Sequence, residues 1–414
     1  MRVLKFIGKL ILSIIGIFLA WLIGISIFVP VYDFDEPYPF SGDYLHNPYE
    51  GIDSSAWLLC NFHAHTRTAG GVANGRNNSN ELLDSVYRSF GFDHIGISNY
   101  NTISDYDKDN PSYVPGYEHG YGIFKIHQLG LGARKVRKID YPLWQTLSMK
   151  QHTINKIGQY AELAIPAHPS FVEKGYHPED FKYLSNYKLL EVLNGYRKSP
   201  AHWDMALSNG HLVYLIGGDD SHSMTNINDP ANRFTMINSS VNEGSRLLKA
   251  LVDGKAVGVA FPMDPSYTET FPHKRARFEE NLPYLTKADL YGDTLRVAAT
   301  KQISKAEFIG QGGKVLRSIN DIDEAEYVIQ PEDQYVRTVL TFADGTELWL
   351  NPITRHDNPD NLYHPRLDHL NYWKTAVLWI AYIVIISIVI LLFRHFKKSR
   401  IQNSKFKIQN SLTS

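Results

Sequence analysis

An α/β fold with a parallel sheet or barrel, followed by a β-rich stretch and enclosed between two apolar segments, is what this sequence predicts. Three observations carry that expectation. Between residues 56 and 264, short apolar runs alternate with amphipathic helical runs; from about residue 265 the runs become β-type; and Leu10 to Tyr32 and Thr375 to Phe393 contain no charged side chain. Alternating strands and helices favour parallel pairing, because a parallel connection needs a crossover and a helix is the usual one.

The first apolar segment is long enough to cross a bilayer as a helix, which takes about 20 apolar residues, and so is the second. Arg2, Lys5 and Lys9 precede the first segment; Arg394, Lys397, Lys398, Arg400, Lys405 and Lys407 follow the second; Asp33, Asp35 and Glu36 lie just inside. Basic flanks stay on the cytoplasmic side, so both termini are expected there. The region between is then extracytoplasmic at a plasma (inner) membrane, and periplasmic in a Gram-negative cell. The first apolar run exceeds a signal-peptide core and no small-residue cleavage pattern follows it, so an anchor is expected rather than a cleaved leader.

Composition constrains the rest. At 43% hydrophobic and 21% charged residues with a net charge of -1, the chain reads as a folded protein without electrostatic bias, and no nucleic-acid partner is expected. Its single cysteine, Cys60, excludes an internal disulfide.

Residues 33–55 are rich in Pro, Gly, Asp and Tyr without helical period and read as a linker. Leu58 to Phe62 is a first strand. Ser79 to Phe90 is a helix, with Leu82, Leu83, Val86 and Phe90 at apolar spacing and Ser79 or Asn80 as cap. His94 to Ser98 is a second strand, Ile154 to Ala161 a second helix, and Leu163 to His168 and Lys188 to Leu193 further strands. A helix over Trp203 to Ser208 then precedes the strand Leu212 to Ile216. After residue 265, Leu295 to Ala299, Ala306 to Ile309, Glu326 to Ile329, Tyr335 to Phe342 and Thr346 to Leu350 are β-type runs separated by Gly310 to Gly313 and Asp344-Gly345. They form a small sandwich or sheet over 265–356, then a linker over 357–374. Residues 394–414 read as a basic, disordered cytoplasmic tail.

The chemistry sits at the ends of the expected strands. Alternate side chains of a strand share a face, so His63 and His65 can turn both imidazoles to one ion, and Asp220 and His222 can do the same from a second strand end. His168 ends a third. In α/β barrels, sites form at the carboxyl ends of strands, where all five residues fall. One histidine among 17 is usually an ordinary core or surface group; the ordered set is what points to a metal site and to metal-assisted hydrolysis.

Asn61-Phe62-His63-Ala64-His65-Thr66, Gly91-Phe92-Asp93-His94-Ile95-Gly96-Ile97-Ser98, Pro115-Gly116-Tyr117-Glu118, His127, Ala167-His168-Pro169 and Gly218-Asp219-Asp220-Ser221-His222 resemble, in order and spacing, the PHP (polymerase and histidinol phosphatase) superfamily. The resemblance covers residues 56 to 262. It implies a distorted (β/α)7 barrel over 56–264, two or three Mn, Fe or Zn ions, and phosphoester hydrolysis. Carried onto this sequence, His63, His65, Glu118 and Asp220 hold one ion, and Glu118 bridges to a second held by His127 and His168.

The chain departs from the family at the third ion. Ser98-Asn99-Tyr100 stands where the motif usually ends in Asp-His, and Arg67 to Gly75 contains no carboxylate. His222 is the one familiar ligand left there, so two divalent ions are expected. Asp220 and His222 are counted with the reacting groups. Arg67 is a candidate partner for a substrate phosphate through its planar fork, and Tyr100 for a hydrogen bond to a substrate oxygen. His119, Asp219 and Glu191 flank the site, as ligand-orienting groups or as ordinary structural ones.

The expected protein is thus a membrane-anchored, extracytoplasmic, metal-dependent phosphatase or phosphodiesterase. Its expected substrate is a phosphorylated small molecule, a nucleotide or a phospho-glycan rather than DNA. Three other readings fit the same residues: a barrel that binds metal or ligand without turnover, a metal-dependent hydrolase of a non-phosphate bond, and a β-rich adhesion factor with incidental histidines. A β-rich appendage with a Tyr-Val-Arg strand and an ending like Trp349-Leu350-Asn351-Pro352 accompanies some bacterial PHP proteins, and no ligand set is evident in it here.

Overall fold

The computed structural model describes residues 2–68, 75, 77–360, 362, 363 and 367–411. The chain divides into two units, one made of the terminal segments up to Asp33 and from His369, the other of Phe34–Asp368. Helix α1 (Arg2–Ile27) opens the chain and is followed by short strands β1 (Tyr32–Phe34) and β2 (Tyr44–His46). The run Trp57–Asn61 forms β3, buried along most of its length. Helix α2 (Asn80–Ser89) starts where the Ser79 hydroxyl accepts the Leu82 N–H at 3.1 Å, and its apolar spacing buries Leu83 and Tyr87. β4 (His94–Ile95) then pairs parallel to β3.

β5 (Gly116–His119) and β6 (Gln128–Leu131) precede helix α3 (Leu147–Gly158), which begins before the apolar run because Thr146 caps it. β7 (Leu163–Pro166) pairs antiparallel with β6, and β6 antiparallel with β5. β8 (Leu189–Asn194), helix α4 (Pro200–Ser208) and β9 (Tyr214–Gly218) form a β-α-β unit whose two strands pair parallel. The chain continues through β10 (Arg233–Asn238), helix α5 (Gly244–Val252), β11 (Ala256–Ala260) and helix α6 (Phe271–Asn281).

Next come β12 (Leu285–Tyr291), β13 (Thr294–Ile309), β14 (Val315–Val328), β15 (Tyr335–Thr341), β16 (Glu347–Leu350) and β17 (Ile353–His356). β13 spans two of the expected runs in one strand. β14 extends the expected run Glu326 to Ile329 back to Val315: Arg317, Asn320, Asp321, Asp323 and Glu324 carry no β-type pattern, yet the strand is held along its length by pairing to β13 and is largely exposed. These strands continue the sheet of the preceding region, because β16 pairs antiparallel with β11, and β11 with β10, which pairs with β3. The result is one eleven-stranded sheet beside a three-stranded and a two-stranded sheet in the same unit, a mixed α/β architecture. Parallel pairs are β3 with β4 and β8 with β9. No closed barrel is formed among the described residues.

β18 (Asp368–Leu370) leads into helix α7 (Tyr372–Ser411). Phe6–Ile27 and Tyr372–Ser399 are long and apolar enough to cross a membrane. The backbone stays helical beyond Phe393, so the basic stretch expected to be disordered continues the helix as far as Ser411. Within this terminal unit the helices meet near their inner ends: the Phe28 and Trp379 rings are 6.0 Å apart, Trp379 Nε1 donates to the Val29 carbonyl at 3.2 Å, and Asn371 Nδ2 donates to Asp33 Oδ2 at 2.6 Å.

Candidate metal centre

Backbone pairing beyond the strand ends sets the direction of the key side chains. After β3 and β9 the chains run on side by side: Asp220 N–H donates to the His63 carbonyl at 2.8 Å, His65 N–H donates to the Ser221 carbonyl at 2.9 Å, and Ala64 bridges Ser221 in parallel. Strand-like alternation then turns His63 and His65 to one face, their ring centroids 5.2 Å apart, with Asp220 opposite. Asp220 and His168 adopt positive φ of 52° and 31°, a region that non-glycine residues seldom occupy and that is concentrated at functional sites. Glu118 enters from β5, and His127 lies just ahead of β6.

Glu118 is the centre of the cluster. Its Oε2 lies 3.4 Å from His63 Nε2 and 3.2 Å from His65 Nε2, while its Oε1 lies 2.6 Å from His127 Nδ1 and 2.9 Å from His168 Nε2. Asp220 Oδ1 completes the first group, 3.2 Å from His63 Nε2 and 2.9 Å from His65 Nε2. The ligand-type atoms of His63, His65, Glu118 and Asp220 lie within 4.8 Å of one another, as do those of Glu118, His127 and His168. All six residues are buried.

A second layer holds this geometry. Glu191 Oε1 lies 2.7 Å from His63 Nδ1, and its Oε2 accepts the His168 backbone N–H at 2.7 Å. Asn194 Nδ2 sits 3.2 Å from Glu191 Oε2 and 3.4 Å from Asp220 Oδ2. Gly218 is required here: a Cβ at that position would stand 2.6 Å from His63 Cβ and 2.8 Å from Glu191 Oε1. Asp219 turns away from the ligands. It accepts the N–H groups of Ala231, Asn232 and Arg233 and the Tyr87 hydroxyl, and its burial pushes it up to about 6. His119 bonds Gln128 and the Ile139 carbonyl.

Electrostatics follow from the buried carboxylates of Glu118, Asp220 and Glu191 among the imidazoles of His63, His65, His127 and His168. Burial pushes Glu118 up, yet the charges of His127 and His63 outweigh it and hold the carboxyl well below its ordinary value. Asp220 is likewise driven well below, chiefly by His63 against burial. Burial lowers His63, but Asp220, Glu191 and Glu118 together hold it well above 6.5. His65 and His168 are raised in the same way, and His127 is lowered by burial.

The donor set fits divalent cations. His63 Nε2 and Glu118 Oε2 are buried and have no hydrogen-bond partner among the described residues, although both face the space shared with His65 and Asp220. A buried polar atom without a partner is costly unless something charged completes it. Imidazole and carboxylate together suit Mn, Fe and Zn.

Other expected site residues are placed as follows. His222 stacks on His65 with centroids 4.5 Å apart, its Nε2 lies 3.3 Å from Asp220 Oδ1, and its side chain is 31% exposed. Tyr100 pairs by backbone bridge with Glu118, and its ring lies 4.9 Å from that of His65 and 5.3 Å from that of His127. Asn99 instead braces the loop after the histidine pair: its Oδ1 accepts the Thr66 N–H and its Nδ2 donates to the Thr66 hydroxyl, both at 2.8 Å. Arg67 is exposed and lines a separate surface cleft with Asn77, Ser79 and Glu81, so the structure does not bring it into the cluster. Much of the loop noted for lacking a carboxylate, residues 69–74, lies outside the described residues. Asn194 was not evident from the sequence. Glu191 had a signal that could have been read more strongly, since a lone carboxylate inside Leu189-Leu190-Glu191-Val192-Leu193 must be buried and therefore needs partners.

No protein-family model matches the chain, and no curated protein matches it. Among solved structures the chain is similar to the crystal structure of a two-domain protein containing a predicted PHP-like metal-dependent phosphoesterase from Bacteroides vulgatus ATCC 8482, at 13% identity and a TM-score of 0.39, with 81% of this chain and 99% of that one covered.

Proposed function

We propose that the Phe34–Asp368 unit is a metal-dependent phosphoester hydrolase of the PHP type with a dinuclear centre. One observation carries this: the two oxygens of Glu118 face two different histidine groups, His63 with His65 on one side and His127 with His168 on the other. A carboxylate so placed would serve two ions, one that His63, His65, Glu118 and Asp220 would hold and one that Glu118, His127 and His168 would hold. Paired divalent ions supply an activated water and neutralise charge building on phosphate oxygens.

The chain's own groups then divide the work. Glu191 fixes the tautomer and direction of His63, because Nδ1 donates to it and Nε2 is left to ligate. Tyr100 is a donor and not a base: burial and the charges of Glu118 and Asp220 hold its hydroxyl above the ordinary 10, so it keeps its proton and can offer it to a phosphate oxygen. His222, partly exposed and 3.3 Å from Asp220 Oδ1, is assigned here as the group that hands a proton to the departing oxygen. A distorted (β/α)7 arrangement over 56–264 belongs to this proposal, and the parallel pairs β3–β4 and β8–β9, with ligands at or just beyond strand ends, support it.

The placement is proposed with it: a two-pass membrane protein, termini cytoplasmic and the main unit outside, acting on a phosphorylated small molecule. The contacts near Phe28 and Trp379 fit helices that enter from one side, and exposed Tyr372 and Trp373 suit the interface with lipid headgroups.

The test uses the full chain in detergent, loaded with Mn, Fe or Zn, and follows p-nitrophenyl phosphate, bis-p-nitrophenyl phosphate and p-nitrophenyl acetate. Turnover of a phosphoester that is lost in the His63→Ala, His65→Ala double variant supports the reading. Bound metal with no phosphoester turnover would favour a metal- or ligand-binding module, and acetate turnover alone a hydrolase of another bond.

A further inference from the structure

The loop after β9 carries Asp220 and His222, and two carboxylates stitch it together. Asp219 accepts the N–H groups of Ala231, Asn232 and Arg233 at 2.7, 2.8 and 2.6 Å. Asp229 Oδ2 accepts those of His222 and Ser223 at 2.8 and 2.6 Å, and the Asp229 carbonyl accepts the Ser221 hydroxyl at 3.1 Å. Lys274 of α6 enters this loop from outside. Its Nζ donates to the Ile227 and Pro230 carbonyls, both at 2.7 Å, and to Asn232 Oδ1 at 2.8 Å, with the centre of the Phe90 ring 5.8 Å away. The lysine is fully buried, and all three donors of its ammonium are used. Burial pushes it down to about 8, so it is charged at neutral pH.

An ion is costly to bury, and a helix lysine ordinarily lays its stem on the surface and keeps its head in water. Here the head is spent on oxygens that flank Asp229 on both sides. Asp229 in turn holds the backbone of His222, whose ring stacks on His65 with its Nε2 3.3 Å from Asp220 Oδ1. Irregular segments open readily, and between Ser221 and Asn232 the chain has no lysine or arginine of its own to gather those carbonyls. Building on the phosphoesterase reading, we infer that Lys274 is a positioning residue: it clamps the 227–232 segment so that Asp229 keeps His222 beside Asp220 and His65, without itself touching metal or substrate.

The test compares the metal-loaded full chain with Lys274→Met, and with Lys274→Ala in the presence and absence of n-propylammonium, which replaces the atoms removed. Bound metal, amide exchange by mass spectrometry and turnover of p-nitrophenyl phosphate are read on each. The clamp predicts unchanged metal content, faster exchange confined to residues 221–233, and a kcat about 100-fold lower with KM within about threefold. Propylammonium should restore about tenfold of the loss in Lys274→Ala and none in Lys274→Met, where the side chain fills the space. In a chain already carrying His222→Ala, Lys274→Met should cost less than about twofold more, because the two act through one group. A kcat that Lys274→Met leaves unchanged, a loss repeated in full on top of His222→Ala, or loss of metal overturns the inference. Should both Lys274 variants fail to fold, Asn232→Ala removes one acceptor and is read the same way, with a loss of about tenfold expected. If the wild-type chain turns over no phosphoester, the phosphoesterase reading falls and the exchange measurement decides alone: unchanged protection of residues 221–233 in Lys274→Met overturns the clamp.

Discussion

Glu191 Oε1 lies 2.7 Å from His63 Nδ1, with both side chains fully buried. The contact fixes which nitrogen of His63 faces Glu118 and Asp220, and Glu191 holds the His168 backbone as well. Glu191→Gln keeps the shape but removes the charge, so metal affinity is expected to fall about 10- to 100-fold with the fold retained. Competition against a chromophoric chelator measures it; an affinity unchanged within twofold would show that Glu191 is only structural.

Metal binding should release protons and weaken as pH falls. His63, His65 and His168 are held above 6.5 by Glu118, Asp220 and Glu191, so without metal they carry protons that a cation must displace. The metal-free protein behaves oppositely. The protonated imidazoles contribute stability that is fully present below 6.5 and lost as pH rises through their raised native values, while Glu118 and Asp220 contribute stability lost as pH falls through their lowered ones. Metal titrations at about pH 6, 7 and 8 should show affinity rising throughout; a flat profile would contradict the assignment.

His94 gives a separate acid limit. Burial pushes its imidazole down to about 4, and its ring packs 4.7 Å from that of Phe62. Between pH 6.5 and 4 the unfolded chain takes up a proton that the native chain refuses, so stability falls as pH drops through that window, by at most about 3 kcal/mol. His94→Phe should remove this part of the pH dependence. Urea unfolding at pH 7 and pH 4.5 decides it, and an equal loss in both proteins would refute the claim.

The last β-strands are tied to α4 by a buried ion pair. Arg337 Nε and Nη2 each donate to Asp204 at 2.7 Å, Tyr335 adds a hydrogen bond at 3.0 Å, and the guanidinium lies over Trp203 and Trp349. Asp204→Asn or Arg337→Met leaves a buried charge uncompensated and should destabilise by about 3 to 5 kcal/mol, whereas changing both to apolar residues should restore part of the loss. Denaturant midpoints of the two single variants and the double variant measure it. A double variant as unstable as the sum of the singles would contradict the pairing.

Legibility in the sequence followed the strength of local signals. Ser79 with Leu82, Leu83, Val86 and Phe90 marked α2 to within a residue, and the apolar runs before His63, His168 and Asp219 marked β3, β7 and β9. β5 and β6 were not read as strands, because Gly116–His119 and Gln128–Leu131 are short and bear polar residues; yet Glu118 rides on β5. The polar first part of β14, before Glu326, was hidden for a related reason, since its pairing with β13 is tertiary. Motif order drew His63, His65, Glu118, His127, His168 and Asp220 together on paper, and the structure places all six in one buried cluster. The support from Asn194 stayed invisible, since loops carry no periodicity that says where they point.

The central claim is that Glu118 joins two metal sites. The most direct measurement is metal stoichiometry by elemental analysis of the full chain and of Glu118→Gln after saturation and gel filtration, with phosphoester turnover recorded on both. The account predicts about two ions per wild-type chain, and in the variant less than one ion and no turnover. Two ions retained by Glu118→Gln, or a single ion in the wild type, would contradict it.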